Sequence, residues 1–258
     1  KALVRDGIKE IMLIAQDSTF YGIDLYGERK LAELMDRLSD VEGLDWIRLH
    51  YAYPSKFPFD VLPIINSKPN ICKYLDIPIQ HISDNVLKSM RRGITKRRTE
   101  EVLDRIRSEV DNIALRTTLL VGHPGEYDQD FEELKDFVNR YQFNRLGVFT
   151  YSHEDGTHAG TLEDHVSQEI KSARADEIMG IQHDISFAHN QKLIGSTQKV
   201  IIDRIEGDSY IGRTQFDSPE VDNEVIISLN EGYLRVGDFT NATITGAESF
   251  DLIAKLNK

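Results

Sequence analysis

The sequence holds a single cysteine, Cys72, which excludes an internal disulfide framework and any multi-cysteine metal site made from these residues alone. No apolar run approaches the roughly 20 residues that span a bilayer; the longest are stretches such as 11–15. No charged-then-apolar leader opens the chain, so the expected location is cytoplasmic, with no membrane partner. Glycine-rich phosphate fingerprints are missing, and so is any nucleophile–base–orienter trio at a recognisable spacing. Positive charge is in deficit: 31 Lys and Arg stand against 43 Asp and Glu, for a net charge of −12. That balance argues against a nucleic-acid binder, whose phosphate partner calls for a basic field, and suits a basic protein partner better.

What is present is a globular composition, 258 residues with 40% hydrophobic and 29% charged, enough for one large domain or two modest ones. Over 1–194 short apolar strands alternate with amphipathic helices. Strands are predicted at 8–15, 46–53, 74–79, 113–121 and 146–151, and helices at 28–38, 59–66, 84–90, 99–110, 130–141 and 167–193. Asp84 is the expected N-cap of the third helix. Such alternation implies an α/β fold of parallel strands joined by right-handed crossovers. Five strands are too few for a closed eight-stranded barrel, so an open, partial βα barrel is expected. Residues 1–6 read as the last turns of a helix capped by Gly7, which implies a missing first βα unit upstream.

From 195 to 258 the pattern changes to alternating strands at 199–204, 210–216, 224–228, 238–245 and 251–256, separated by turn residues. A small five-stranded OB-like β-barrel follows from that spacing. Its six basic residues, Lys258 among them, face eleven acidic ones, a net of −5 over 196–258.

In βα architectures functional residues gather where strands end and helices begin. Here those ends carry Gln16-Asp17-Ser18, Tyr51-Ala52-Tyr53, Gln80-His81-Ile82, Gly122-His123-Pro124-Gly125 and Phe149-Thr150-Tyr151. The set is rich in amide, hydroxyl and aromatic groups and suits a polar organic cofactor. Gly122 and Gly125 either let the backbone approach a flat ligand or make a tight turn. Arg116, mid-strand among apolar neighbours, needs an anion, which is either a ligand carboxylate or an internal acid such as Asp76. Cys72 reads as a core residue. The run Lys88, Arg91, Arg92, Lys96, Arg97, Arg98 is the only basic cluster and reads either as a solvated helix junction or as a contact for a partner or an acidic neighbouring domain.

Three of these segments, 15–22, 74–84 and 115–126, taken in order, resemble the methylthiotransferase branch of the radical-SAM enzymes, and the last domain resembles a TRAM module. His81-Ile82 after Pro78-Ile79-Gln80 is similar to the ribosomal-protein type rather than to the tRNA-modifying relatives. The resemblance implies S-adenosyl-L-methionine (SAM) and two 4Fe-4S clusters in the full-length enzyme, with cluster cysteines upstream of Lys1 and none of the clusters held by this chain. It implies reductive SAM cleavage, hydrogen abstraction by an adenosyl radical, sulfur from the second cluster, and a product methylthiolated on the β-carbon of an aspartate. The substrate implied is the twelfth small-subunit ribosomal protein, a basic partner, met by a monomer; this chain alone is expected to be inactive. Gln16, Gln80, Arg116, Gly122 and Phe149 are the implied SAM contacts. The alternatives are a tRNA methylthiotransferase and a non-catalytic binding scaffold.

Overall fold

The computed structural model describes residues 1–257; Lys258 lies outside the described residues. In chain order the first part runs α1 (Ala2–Arg5), β1 (Glu10–Leu13), α2 (Ile23–Tyr26), α3 (Leu31–Ser39), β2 (Trp46–Leu49), α4 (Val61–Ser67), β3 (Ile71–Asp76), α5 (Asp84–Ser89), α6 (Lys96–Glu109), β4 (Ala114–Val121), α7 (Asp128–Tyr141), β5 (Arg145–Thr150) and α8 (Gln168–Gln191). All five strands are parallel, in the order β1-β2-β3-β4-β5. The open α/β sheet expected from the alternation is therefore present. At the start, Gly7 (φ +93°) ends α1, with its amide donating to Val4 O at 3.0 Å and the Ile8 amide to Leu3 O at 3.1 Å.

The second part forms a closed barrel from β6 (Thr197–Glu206), β7 (Ser209–Thr214), β8 (Glu224–Ser228), β9 (Phe239–Ala247) and β10 (Asp251–Leu256), in the order β10-β8-β7-β6-β9. No described helix is long and apolar enough to cross a membrane.

The period of two in each strand decides which face each residue serves. Ile47 and Leu49 on β2, Leu75 on β3, and Leu115, Leu119 and Val121 on β4 pack under the helices in the main core. The opposite, concave face carries Trp46, Cys72, Tyr74 and Ala114, and against these sit Ile201, Phe216 and Phe239 of the barrel. The barrel thus closes the lower half of the sheet's inner face. Between them lies a buried polar layer: Arg145 pairs with Asp217 at 2.5 Å, Arg48 with Glu10 at 3.0 Å, and Arg213 with both Glu10 and Asp203.

One capping assignment differs from expectation. Ser83, not Asp84, is the N-cap of α5; its hydroxyl donates to Asp130 and accepts no bond from the first-turn amides of the helix. Asp84 lies in the first turn and accepts from the Lys96 amide at 2.7 Å, so its carboxylate joins α5 to α6.

Candidate functional site

The ends of β2, β3 and β4 share a backbone feature. Tyr51 (φ +53°), Gln80 (φ +71°) and Gly122 (φ +76°) all turn left-handed where the chain leaves the sheet. For Tyr51 and Gln80 this costs about 1–2 kcal/mol each, because the Cβ crowds the following carbonyl. Neighbouring strands enforce it. The Gln80 amide donates to Thr118 O at 2.9 Å while Gln80 O accepts from Leu120 N at 2.8 Å, and Tyr51 O accepts from Ser18 N at 3.1 Å. Strain over-determined in this way at a concave rim marks a place where backbone direction matters.

Around the rim, Gln16 is exposed and Gln80 half-exposed, and neither amide side chain bonds another described residue. Phe149 is 64% exposed on β5, on the same face as Leu120. Tyr151 is buried, its hydroxyl has no partner among the described residues, and Lys171 Nζ sits 4.9 Å from its ring centre. The rim therefore offers free amides, an unpartnered hydroxyl and exposed aromatic faces. That donor set fits a polar organic molecule with a ring and amino-acid groups, as SAM is.

Two of the expected contacts are engaged elsewhere. Arg116 Nη1 lies 2.9 Å from Asp76 Oδ1 and its Nε 3.3 Å from Asp222 of the barrel, so the internal pair is the arrangement adopted. Asp222 also accepts from Tyr74 at 2.7 Å and from the Ser218 amide at 2.8 Å. At Gly122 the space beside the backbone holds Lys171: an added Cβ would run into Lys171 Cγ, with Cδ 2.9 Å away. The missing Cβ makes room for a side chain of the protein itself rather than for a flat ligand.

Behind the rim lies a buried polar network. The Glu126 carboxylate accepts from the Gly122 amide at 2.6 Å and the His123 amide at 3.3 Å, and pairs with Arg174 at 2.8 Å. Burial pushes Glu126 upward from the ordinary carboxylate range, against the pull of Arg174 and the two amides. His81 is fully buried and Nδ1 accepts from the Ser83 amide at 3.0 Å, so the ring proton resides on Nε2, 3.9 Å from Glu126. Burial lowers its pKa to about 3, so it stays neutral. It supports the loop, its accepting nitrogen committed to the Ser83 amide.

Sequence reasoning passed over Lys171, Arg174, Glu126 and Asp130. A signal existed: two cations in the opening turns of α8 oppose the helix dipole, which favours acids there. Cations persist in such a place when acids elsewhere hold them, and Lys171 pairs with Asp164 at 2.5 Å, while Arg174 pairs with Glu126 and Asp128.

The described residues contain no group of three or more His, Cys, Asp or Glu that could hold a metal ion. Cys72 faces the barrel, 1% exposed, and burial pushes its thiol up to about 12. These residues do not fit an iron–sulfur cluster.

Residues 1–138 match the family model "Radical SAM superfamily", and residues 194–256 the model "TRAM domain". Curated relatives called "Ribosomal protein uS12 methylthiotransferase RimO" are 54% identical over 98% of the chain in Flavobacterium johnsoniae and 54% over 99% in Porphyromonas gingivalis. A third, from Cytophaga hutchinsonii, is 53% identical over the full chain. The chain spans 58% to 59% of the length of these relatives. Among solved structures, coproporphyrinogen III oxidase (HemN) of Escherichia coli, described as a radical SAM enzyme, covers 81% of the chain and is covered over 55% of its own. Its TM-score is 0.56 at 13% identity, a likeness of fold alone.

Proposed function

The chain belongs to the radical SAM superfamily, and from that membership we propose that the protein containing it is a RimO-type methylthiotransferase acting on ribosomal protein uS12. The single observation that carries the reading is the 53–54% identity to RimO proteins along essentially the whole chain. Within it, the reaction is transfer of a methylthio group to the β-carbon of an aspartate in uS12. Bound SAM, together with 4Fe-4S clusters of the complete protein, supplies the radical chemistry.

This chain's residues bind and orient. Gln16 and Gln80 present free amides to the polar groups of SAM, and Phe149 offers a ring face to its adenine. Tyr151 adds an unpartnered hydroxyl. Arg116 and Gly122 serve beneath: Arg116 ties β3, β4 and the barrel together, and Gly122 lets α8 close against the rim. The outward charge of the barrel supports a protein substrate over tRNA. Asp208, Glu220 and Glu248 are exposed and form no ion pair among the described residues. Such a surface repels phosphate and attracts a basic chain.

The test uses the full-length protein with clusters reconstituted, a reductant and SAM, offered uS12 and tRNA separately. Mass spectrometry is expected to find one methylthio group gained on a uS12 aspartate and none on tRNA. Modification of tRNA with uS12 untouched overturns the reading.

A further inference from the structure

A pocket of about 330 Å³ lies beside β5, in the seam between α8 and the C-terminal barrel. Its walls include Gly147 of β5, Met179, Gln182 and Ser186 of α8, and Val221 and Phe250 of the barrel. Gln182 and Ser186 are each 1% exposed. Gln182 Nε2 donates to Phe143 O at 3.0 Å, which sets the amide and leaves Oε1 without a partner; Ser186 Oγ has none either. Buried polar atoms are nearly always satisfied, and leaving one bare costs about 1–3 kcal/mol. The charged groups at this pocket, Arg145 and Asp222, are committed to Asp217 and Arg116. What the walls ask for is a neutral hydrogen-bonding group on an apolar stem.

The same place is a sheet edge. β5 is the last strand, its ladder runs to β4 alone, and its outer side has no backbone partner among the described residues. An open edge of this kind is a template for an extended peptide, with affinity from main-chain bonds and selectivity from pockets that take alternate side chains. Nothing lies within 4 Å of a Cβ added at Gly147, so the space over that residue at the pocket is free. Val221 and Phe250 are 57% and 41% exposed at the pocket. Glu220, adjacent to Val221, and Glu248, two positions before Phe250, are exposed acids that suit a basic chain.

We propose that an extended segment of the protein substrate pairs with the outer edge of β5 and places a neutral polar side chain against Gln182 Oε1 and Ser186 Oγ. The inference rests on the uS12 reading and adds the track by which that substrate reaches the rim. At about 3.3 Å per residue, a residue three positions beyond the pocketed one lies about 10 Å further on, level with Thr150 at the end of β5.

Hydrogen exchange of the full-length protein, with and without uS12, tests the track. The amides of 146, 148 and 150, which alternate with those facing β4 and so point to the outer edge, are expected to slow at least tenfold when uS12 is added. Gly147→Phe and Val221→Arg should keep the wild-type melting temperature, abolish that protection and raise KM for uS12 at least tenfold. If uS12 is modified while those amides exchange unchanged, or if both variants keep the wild-type KM, the track is wrong and the functional reading stands. If uS12 is neither bound nor modified by the wild-type protein, the functional reading falls and takes the track with it.

Discussion

Left-handed backbone at Gln80 gives the clearest trade between stability and function. Gln80→Gly removes the Cβ that crowds the turn and is expected to stabilise the fold by about 1 kcal/mol in urea unfolding. The same change removes a free rim amide, so calorimetric SAM affinity of the full-length protein should fall; unchanged affinity would remove Gln80 from the site. Gly122→Ala has the opposite sign. At φ +76°, with Lys171 in the way, it should cost about 2 kcal/mol or more, and Lys171→Ala in the same chain should recover part of that. Purely additive losses would show that the contact is not the cause. His81 sets a pH window. Its folded pKa of about 3 lies below its ordinary 6.5, so an unfolded chain takes up this proton as pH falls through 6.5 while the folded one holds it off until about 3. Stability present above pH 6.5 is lost across that interval, at up to ~1.4 kcal/mol per pH unit. His81→Asn, whose Oδ1 can still accept from Ser83, should flatten the slope of urea midpoint against pH between 6.5 and 4; equal slopes would refute the assignment.

Among elements, those with a binary pattern were legible. β8 and β10, in which buried and less buried residues alternate, have the expected bounds; the other three barrel strands lie within two residues of theirs at each end, although β6 and β7 carry continuous buried runs at 200–202 and 210–214. β1 and β2 are four residues each, shorter than the expected 8–15 and 46–53, while β3 keeps six residues but lies three earlier than 74–79, with Ile77 and Ile79 buried past its last residue. α8 shows where pattern reading stops. Its buried stripe is Lys171, Arg174, Ile178, Gln182, Ile185, Ser186 and Asn190, helical in spacing but with five of the seven polar. Periodicity of hydrophobicity finds the helix only weakly and cannot tell which of its polar residues face inward. Arg116 was hidden for a related reason: the need for an anion was readable, but Asp222 lies 106 positions away and only the folded chain selects it over a ligand. The rim segments were readable in order because strand ends follow from strands; what fills the space beside Gly122 was not.

For the molecule as a whole, the seam between sheet and barrel is built as a domain interior. Trp46, the sole tryptophan, is 3% exposed there, edge-on to Phe239 at 4.8 Å. Its fluorescence should therefore report the same urea transition as far-ultraviolet circular dichroism; an earlier red shift would mean the barrel detaches first. Arg145→Met leaves Asp217, 1% exposed, without its cation, and should cost about 3–5 kcal/mol in that transition. Adding Asp217→Asn should return much of the loss.

The 24 residues of α8 make a rod about 36 Å long. One end lies against the rim through Lys171 on Gly122, and the other is fastened to the barrel, where Asn190 donates to Glu248 O at 2.9 Å and accepts from Asn223 at 3.2 Å. A rod so fixed is a lever arm: a tilt of roughly 5° at the barrel sweeps the rim end by about 3 Å, the width of a hydrogen bond. Any force on the barrel is carried, through that arm, to a rim that the barrel end never touches.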